Sequence, residues 1–408
     1  MKKLDSRYIL PVLVLLYSMN FMDRSVLGIV GDALKADLGL TDGQLGLLHS
    51  ILLIALIGLM LPCSALNDIL GRRRFISFAA AAWTAAMALT GTAASFVHLV
   101  CARALGSINE ATMGGGGTAW LASNFPVEKR GKIIGLYQVS APLGMALGML
   151  LGGLILALTG SWRATFFLFI IPGILCVIAI PLLPDNQPKA EKGYFKALPK
   201  LLKSRTILLC SFGAGFYCIS KFSYQAWLPV LLLRTYEGLA PWMAGAMVAA
   251  FLLIGVAGPI LGGSFSDILN KRYPAGRVYA VVLSMVLVAA SKFVLFYIIG
   301  VWSLPWVFAY GLFDGLVTMM PLPIYFTIVQ DIVPNHLRSG AVGIFGTLTF
   351  LFGAAWGPLL VGFFSDFFGG GAEGLRLAQL TLVIFIVLSA VAFACTAKSY
   401  PREKDSVN

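Results

Sequence analysis

Seven ionisable residues stand inside long apolar runs of this 408-residue chain: Asp23 and Arg24, Arg103 and Glu110, Lys221, Lys292 and Asp314. A charge at the centre of a membrane-embedded helix costs about 2.5–3.5 kcal/mol on insertion scales, so each of the seven needs a reason. Arg103 and Glu110 are seven residues apart, which puts them on one helix face with about 10 Å between them along the axis. A carboxyl held away from water can take up and release a proton, and a guanidinium beside it can tie that proton state to another event. The chemistry open to Asp23, Glu110, Arg24 and Arg103 is therefore proton exchange coupled to a switch of ion-pair partners. The competing reading is a permanent network of structural salt bridges. Lys221 and Asp314 are expected either to form a matching pair or to touch a bound ligand. Lys292 lies nearer the end of its run and is expected to snorkel to the interface. The seven sum to +1, which favours an anionic or zwitterionic ligand.

The elements carrying these residues follow from composition. Only 12% of residues are charged and 59% are hydrophobic, against about 25% charged in soluble domains. That deficit excludes a soluble globular protein, a disordered chain and a nucleic-acid binder, despite a net charge of +12. A spanning helix needs about 20 mostly apolar residues. Twelve segments qualify: 8–31, 44–66, 74–96, 97–122, 132–158, 163–183, 206–233, 242–266, 278–300, 302–330, 339–365 and 375–397. The first holds charge in its middle and outlasts a signal peptide, so it reads as a retained span. With both termini cytoplasmic, 22 Lys and Arg fall in inner segments and four (Lys35, Arg163, Arg234 and Arg376) at outer ends, as the positive-inside rule requires. A multi-pass protein of the cell membrane, bacterial inner membrane by its short loops, is expected. Trp227, Trp242, Trp302 and Trp306 fall near outer ends and read as interface anchors. The six cysteines sit in apolar runs as small hydrophobes. The three histidines are scattered at span ends, no metal ligand set is visible, and no Walker loop points to ATP.

The longest polar break, 184–205, separates six spans from six and carries six basic residues. Within it, 194–203 has the pattern of a short amphipathic helix. The two halves echo one another. Asp68-Ile69-Leu70-Gly71-Arg72-Arg73 follows span 2, and Asp267-Ile268-Leu269-Asn270-Lys271-Arg272 follows span 8. Likewise Pro126 to Arg130 opens span 5, and Pro334 to Arg338 opens span 11. Such duplication is the parallel-repeat plan of transporters that bind cargo between two six-helix bundles. Asp68 and Asp267 can latch the inner ends of helices, while Arg72, Arg73, Arg130, Lys271, Arg272 and Arg338 either join that gate or simply set topology.

The first loop resembles the signature of the major facilitator superfamily, Gly-x-Leu-x-Asp-Arg-x-Gly-Arg-Arg. The match covers Leu66, Asp68, Gly71, Arg72 and Arg73; Ser64 replaces the leading Gly and Ile69 the first Arg. The resemblance implies that spans 1, 4, 7 and 10 line a central cavity, and six of the seven buried charges fall on those four spans. Asn20-Phe21-Met22-Asp23-Arg24 with Arg103 and Glu110-Ala111 resembles two branches, the spinster-like transporters and the anion:cation symporters. Gln330-Asp331-Ile332-Val333-Pro334, Arg338, Gly357-Pro358-Leu359-Leu360-Val361-Gly362 and Ser365-Asp366 favour the spinster-like branch. That likeness implies proton-linked carriage, with Asp23 and Glu110 in the proton positions and Arg24 and Arg103 beside them.

Glycine marks the expected points of flexure. Gly114, Gly115, Gly116 and Gly117 follow Glu110 by one turn, and each costs about 1 kcal/mol relative to Ala in a helix. Span 4 should bend there or pack unusually closely. Gly144, Gly148 and Gly152 in span 5, and Gly353 and Gly357 with Pro358 in span 11, form small-xxx-small faces for sliding or for static contact. Tyr17, Asn20, Tyr137, Gln138, Tyr224, Gln225 and Tyr325 are the candidate cavity polars. The expected protein is an all-α integral membrane protein of twelve transmembrane helices in two pseudo-symmetric six-helix bundles, 1–183 and 206–408, joined by a cytoplasmic linker over 184–205. As a monomer without cofactor, it would use the proton gradient to move an organic anion or zwitterionic amphiphile by rocker-switch alternating access. A spinster-like carrier of lysolipids or sphingoid lipids is the alternative. A non-transporting membrane sensor and a membrane enzyme are the competitors of other classes, and no nucleophile–base set supports the enzyme.

Overall fold

The computed structural model describes residues 5–184, 204–334 and 338–405, and among these it is helical without strands. The expected helix at 194–203 lies outside the described residues. Spans 1 and 2 are the single helices Ile9–Leu38 and Asp42–Leu70; span 3 is Arg72–Gly91 and span 4 opens as Phe96–Thr112. Span 7 is Arg205–Thr235 and span 9 is Gly276–Ile298. Other spans are broken where the backbone ladder is interrupted. Span 5 divides into Val127–Gln138 and Ser140–Thr159, span 8 into Pro241–Gly255 and Gly258–Arg272, and span 10 into Leu304–Met319 and Pro321–Asp331. Ten of the helical runs are long and apolar enough to cross a membrane. The other two are span 3, which opens on three arginines, and span 4, which carries Arg103, Glu110 and the glycine quartet.

Local sequence explains the ends. Thr41 and Gln44 close a capping box over the start of span 2, each side chain bonding the other's backbone N–H. Ser95 and Ser204 cap spans 4 and 7 in the same sense, accepting from the N–H of His98 and Ile207. Gly71 turns the chain from span 2 into span 3 at φ 93°, a region closed to most side chains, which accounts for glycine at that place in the loop motif.

The chain divides into two compact units, 1–190 with 238–249 and 191–237 with 250–408. In the first, span 5 lies against span 1 along its glycine face: Gly144 rests on the carbonyl of Ser18, Gly148 on the backbone of Met22, and Gly152 on Val26. A side chain at any of the three would push the helices apart. These contacts bracket Asp23 and fix the rotation of span 1. Residues 238–249 join this unit because Gly245 meets the carbonyl of Met149 and Gly153 meets the backbone of Pro241. In the second unit, span 11 lies against span 7 in the same manner, with Gly353 on Gly215 and Gly357 on the carbonyl of Ile219. Leu158, Ile171, Leu175 and Ile178 are exposed apolar residues, as lipid-facing positions must be.

Candidate functional site

Spans 1 and 4 meet in the first unit through two ion pairs. Arg103 donates to the carboxylate of Asp23, and both side chains are buried. Arg24 Nη2 stands 2.9 Å from Glu110 Oε1. Each helix contributes one acid and one base, so the four charges cancel in pairs across the interface. The arrangement is possible because Asp23 and Arg24 are adjacent, about 100° apart around span 1, while Arg103 and Glu110 stack two turns apart on one face of span 4. Asn109 Nδ2 donates to Asn20 Oδ1 at 3.0 Å between the same two helices. Trp83 of span 3 lies beside the Asp23 carboxylate.

Besides Trp83, two members of this site escaped sequence reasoning. His49 is buried in span 2 near the Arg103 and Arg24 guanidiniums rather than at a span end. It lies seven residues in from Asp42, and Arg103 lies seven in from Phe96, so both are about 10 Å from the N-terminal ends of their helices. That shared depth was the available signal. Asn109 is the second, and its place directly before Glu110 could have marked it.

The cavity polars divide. Tyr17 stacks on Tyr137 with centroids 4.9 Å apart, and Tyr137, fully buried, donates its hydroxyl to the carbonyl of Met113 at 2.8 Å. Asn20 is occupied with Asn109, and Gln138 is exposed. Tyr325 is held in an aromatic cluster with Phe326, Phe345 and Phe393. Tyr224 and Gln225 are buried in span 7. Trp227, expected at the interface, is fully buried with its indole N–H on the carbonyl of Pro358 at 3.0 Å. Trp242, Trp302 and Trp306 are exposed.

In the second unit Asp314 pairs with Lys292, not with Lys221. Lys292 Nζ lies 2.6 Å from Asp314 Oδ2, Ser291 donates to Oδ1 at 2.8 Å, and the ammonium sits 3.1 Å from the centroid of the Tyr224 ring. Lys292 is 1% exposed and therefore does not snorkel. Its side chain turns into the bundle because a carboxylate and an aromatic face await it there, a better solvent for an ammonium than the hydrocarbon reached from the opposite helix face. Lys221 lies 5.9 Å from the Phe222 ring centroid.

Where span 2 passes into span 3, Arg72 donates to the carbonyl of Ala119 at 2.9 Å and Arg73 to that of Leu183 at 3.2 Å. Both thus tie span 3 to its neighbours. Asp267 accepts from the side chain of Arg277 at 3.0 Å rather than from a helix N-terminus, and Arg277 also reaches Asp331 at 2.9 Å. Tyr400 donates to the same Asp331 at 2.7 Å, and burial, then this bond, hold its phenol well above the usual range. Lys271 and Arg272 are exposed. The side chains of Asp68, Arg130 and Arg338 lie outside the described residues.

The glycine quartet packs closely at two of its four positions, Gly116 against Asn67 and Gly117 against Tyr137, and it forms an irregular turn. Met113–Gly117 is one π-helical turn that leads into the helix Thr118–Asn124. A second π turn, Phe350–Ala354, interrupts span 11 beside Gly357 and Pro358.

The model of the Major Facilitator Superfamily matches residues 13–352. The chain belongs to this superfamily. It is thus a multi-pass membrane protein of a family of transporters, not of enzymes. The superfamily chain is 26% identical over 426 residues to the hexuronate transporter of Bacillus subtilis, covering 98% of each. It is 26% identical over 421 residues to an MFS-type efflux pump of Mycolicibacterium smegmatis, covering 96% of this chain and 92% of the other. Among solved structures it superposes on a bacterial homolog of the human lysosomal transporter Spinster in an inward-facing, unoccupied conformation, with a TM-score of 0.86 at 22% identity over 98% of each chain. The fold is therefore the spinster-like form of the superfamily.

Proposed function

We propose that the protein is a proton-coupled secondary transporter of small sugar-acid anions, working by alternating access of the halves 1–183 and 206–408 across the cell membrane, with both termini cytoplasmic. The observation that carries this reading is the pair of acid–base contacts between spans 1 and 4. Protonation of Glu110 would remove the attraction holding Arg24, freeing a guanidinium for a substrate carboxylate, which it can grip through two parallel hydrogen bonds. Asp23 and Arg103 would repeat the exchange one layer away, so that proton state and anion binding become linked equilibria. The hexuronate transporter among its relatives supports a carboxylate-bearing cargo. The proton gradient supplies the drive and no cofactor is needed.

The test is uptake of labelled D-galacturonate and D-glucuronate by proteoliposomes, with and without an imposed pH gradient. Accumulation against the substrate gradient is expected only when the inward proton gradient is present, and Glu110→Gln should cut it at least tenfold. Gradient-driven accumulation that survives Glu110→Gln intact would remove Glu110 from the proton path. Flux of lysolipid with none of hexuronate would move the substrate class to amphiphiles, and binding without flux of any ligand would make the protein a sensor.

A further inference from the structure

The π turn in span 4 begins three residues after Glu110, and its carbonyls are held in an unusual way. Four consecutive backbone carbonyls each accept a side-chain hydrogen bond. Asn67 Nδ2 of span 2 donates to Thr112 O at 3.4 Å, and Tyr137 Oη of span 5 donates to Met113 O at 2.8 Å. Thr118 Oγ1 donates to Gly114 O at 3.2 Å and to Gly115 O at 2.8 Å. A π turn widens the helix and spoils the regular i to i−4 ladder, so carbonyls there are available to outside donors. The glycines make room for those donors: a Cβ at Gly116 would run into the Asn67 carboxamide, and one at Gly117 into the Tyr137 phenol. Gly114 and Gly115 differ. A Cβ at Gly115 would meet open space, and one at Gly114 would only touch the Tyr17 hydroxyl at 4.0 Å.

The π turn of span 11 provides the contrast. There Gly353 is pressed on the backbone of Gly215, and glycine serves helix approach. In span 4, two glycines admit clamping side chains and two have no packing need to be glycine. What the quartet secures at Gly115 is a backbone that stays out of the α-helix, since alanine would favour the α form by about 1 kcal/mol. A turn inserted at this point sets the rotation of everything before it relative to the inner end of span 4. Glu110 is the ionisable residue next to it.

We infer that Tyr137 and Asn67 are positioning residues for Glu110, acting through the π turn Met113–Gly117, which they hold by the carbonyls of Met113 and Thr112. The inference rests on the reading of Glu110 as the proton carrier. Proton release by Glu110 depends on its contact with Arg24, whereas exchange of labelled for unlabelled substrate at equal pH needs no net proton release.

The test compares these two activities in proteoliposomes, with D-galacturonate as probe. Gly115→Ala, whose methyl enters open space, and Asn67→Leu are each expected to lower pH-driven uptake about tenfold while exchange stays within twofold of the parent. Tyr137→Phe, which keeps the ring stacked on Tyr17, is expected to reproduce the loss of driven uptake. Equal losses of uptake and exchange in Gly115→Ala and Asn67→Leu would show a merely structural turn and overturn the inference. So would retention of both activities within twofold. Glu110→Gln is run alongside: if it loses driven uptake while the turn variants lose nothing, only this inference fails. If it keeps driven uptake, the proton reading itself fails.

Discussion

Removing the ammonium from Lys292 should be among the most destabilising single changes in the second unit. Lys292 and Asp314 are 1% and 0% exposed and stand 2.6 Å apart, with Ser291 as the further donor to the carboxylate at 2.8 Å. In Lys292→Met the carboxylate keeps only neutral hydroxyl neighbours, Ser291 and Tyr224, and faces a site closed to water. Breaking a buried pair in this way costs about 3–5 kcal/mol, because the remaining charge is left without compensation. For a cooperative unit of about 200 residues that corresponds to a fall in melting temperature on the order of 6–20 °C. The double variant Lys292→Met with Asp314→Leu removes both charges and keeps the volume. Its stability is expected between that of the parent and about 1–4 kcal/mol above it. The assay is a double-mutant cycle on unfolding midpoints of the purified protein in detergent, with the coupling energy as readout. A loss below about 1 kcal/mol in Lys292→Met, or effects that simply add in the double variant, would refute the assignment of Lys292 to Asp314 as a closed pair.

Other outcomes follow from the packing. Gly148→Ala places a methyl on the Met22 backbone and should cost about 1–3 kcal/mol in thermal unfolding; Gly115→Ala, with open space, should cost nothing. Trp227→Phe loses the bond to the Pro358 carbonyl and should destabilise by about 0.5–1.5 kcal/mol, visible in the same melts. The Tyr400 phenol has its folded pKa raised above the unfolded value of about 10. Its contribution to stability is therefore complete below pH 10 and is lost as pH rises through the folded value. Melting temperatures taken above pH 10 should fall less steeply in Tyr400→Phe than in the parent.

Apolar spans and buried charges are properties of position along the chain, and these were legible without coordinates. A helix rises 1.5 Å per residue, so depth in the bilayer can be counted: Arg103 and Glu110 on one face, Asp23 at a matching level, Gly71 at a turn. The seven-residue offset put Arg103 and Glu110 about 10 Å apart on one face; the structure gives them separate partners on span 1, Asp23 and Arg24. What could not be counted is the direction a side chain takes around its helix, because that depends on which neighbour the helix packs against. Lys292 and Trp227 show the difference. By depth they belong near outer ends, where lysines snorkel and tryptophans anchor. By rotation, set by the helices packed around them, they point inward to Asp314 and to the Pro358 carbonyl. The same rotation turns His49 toward the Arg103 guanidinium and leaves Asn20 to Asn109. Sequence alone determined which charges must be explained and how deep they lie; only the tertiary structure decided who pairs with whom, since pairing is made across helices and the sequence code for helix rotation is spread over glycines on a different helix.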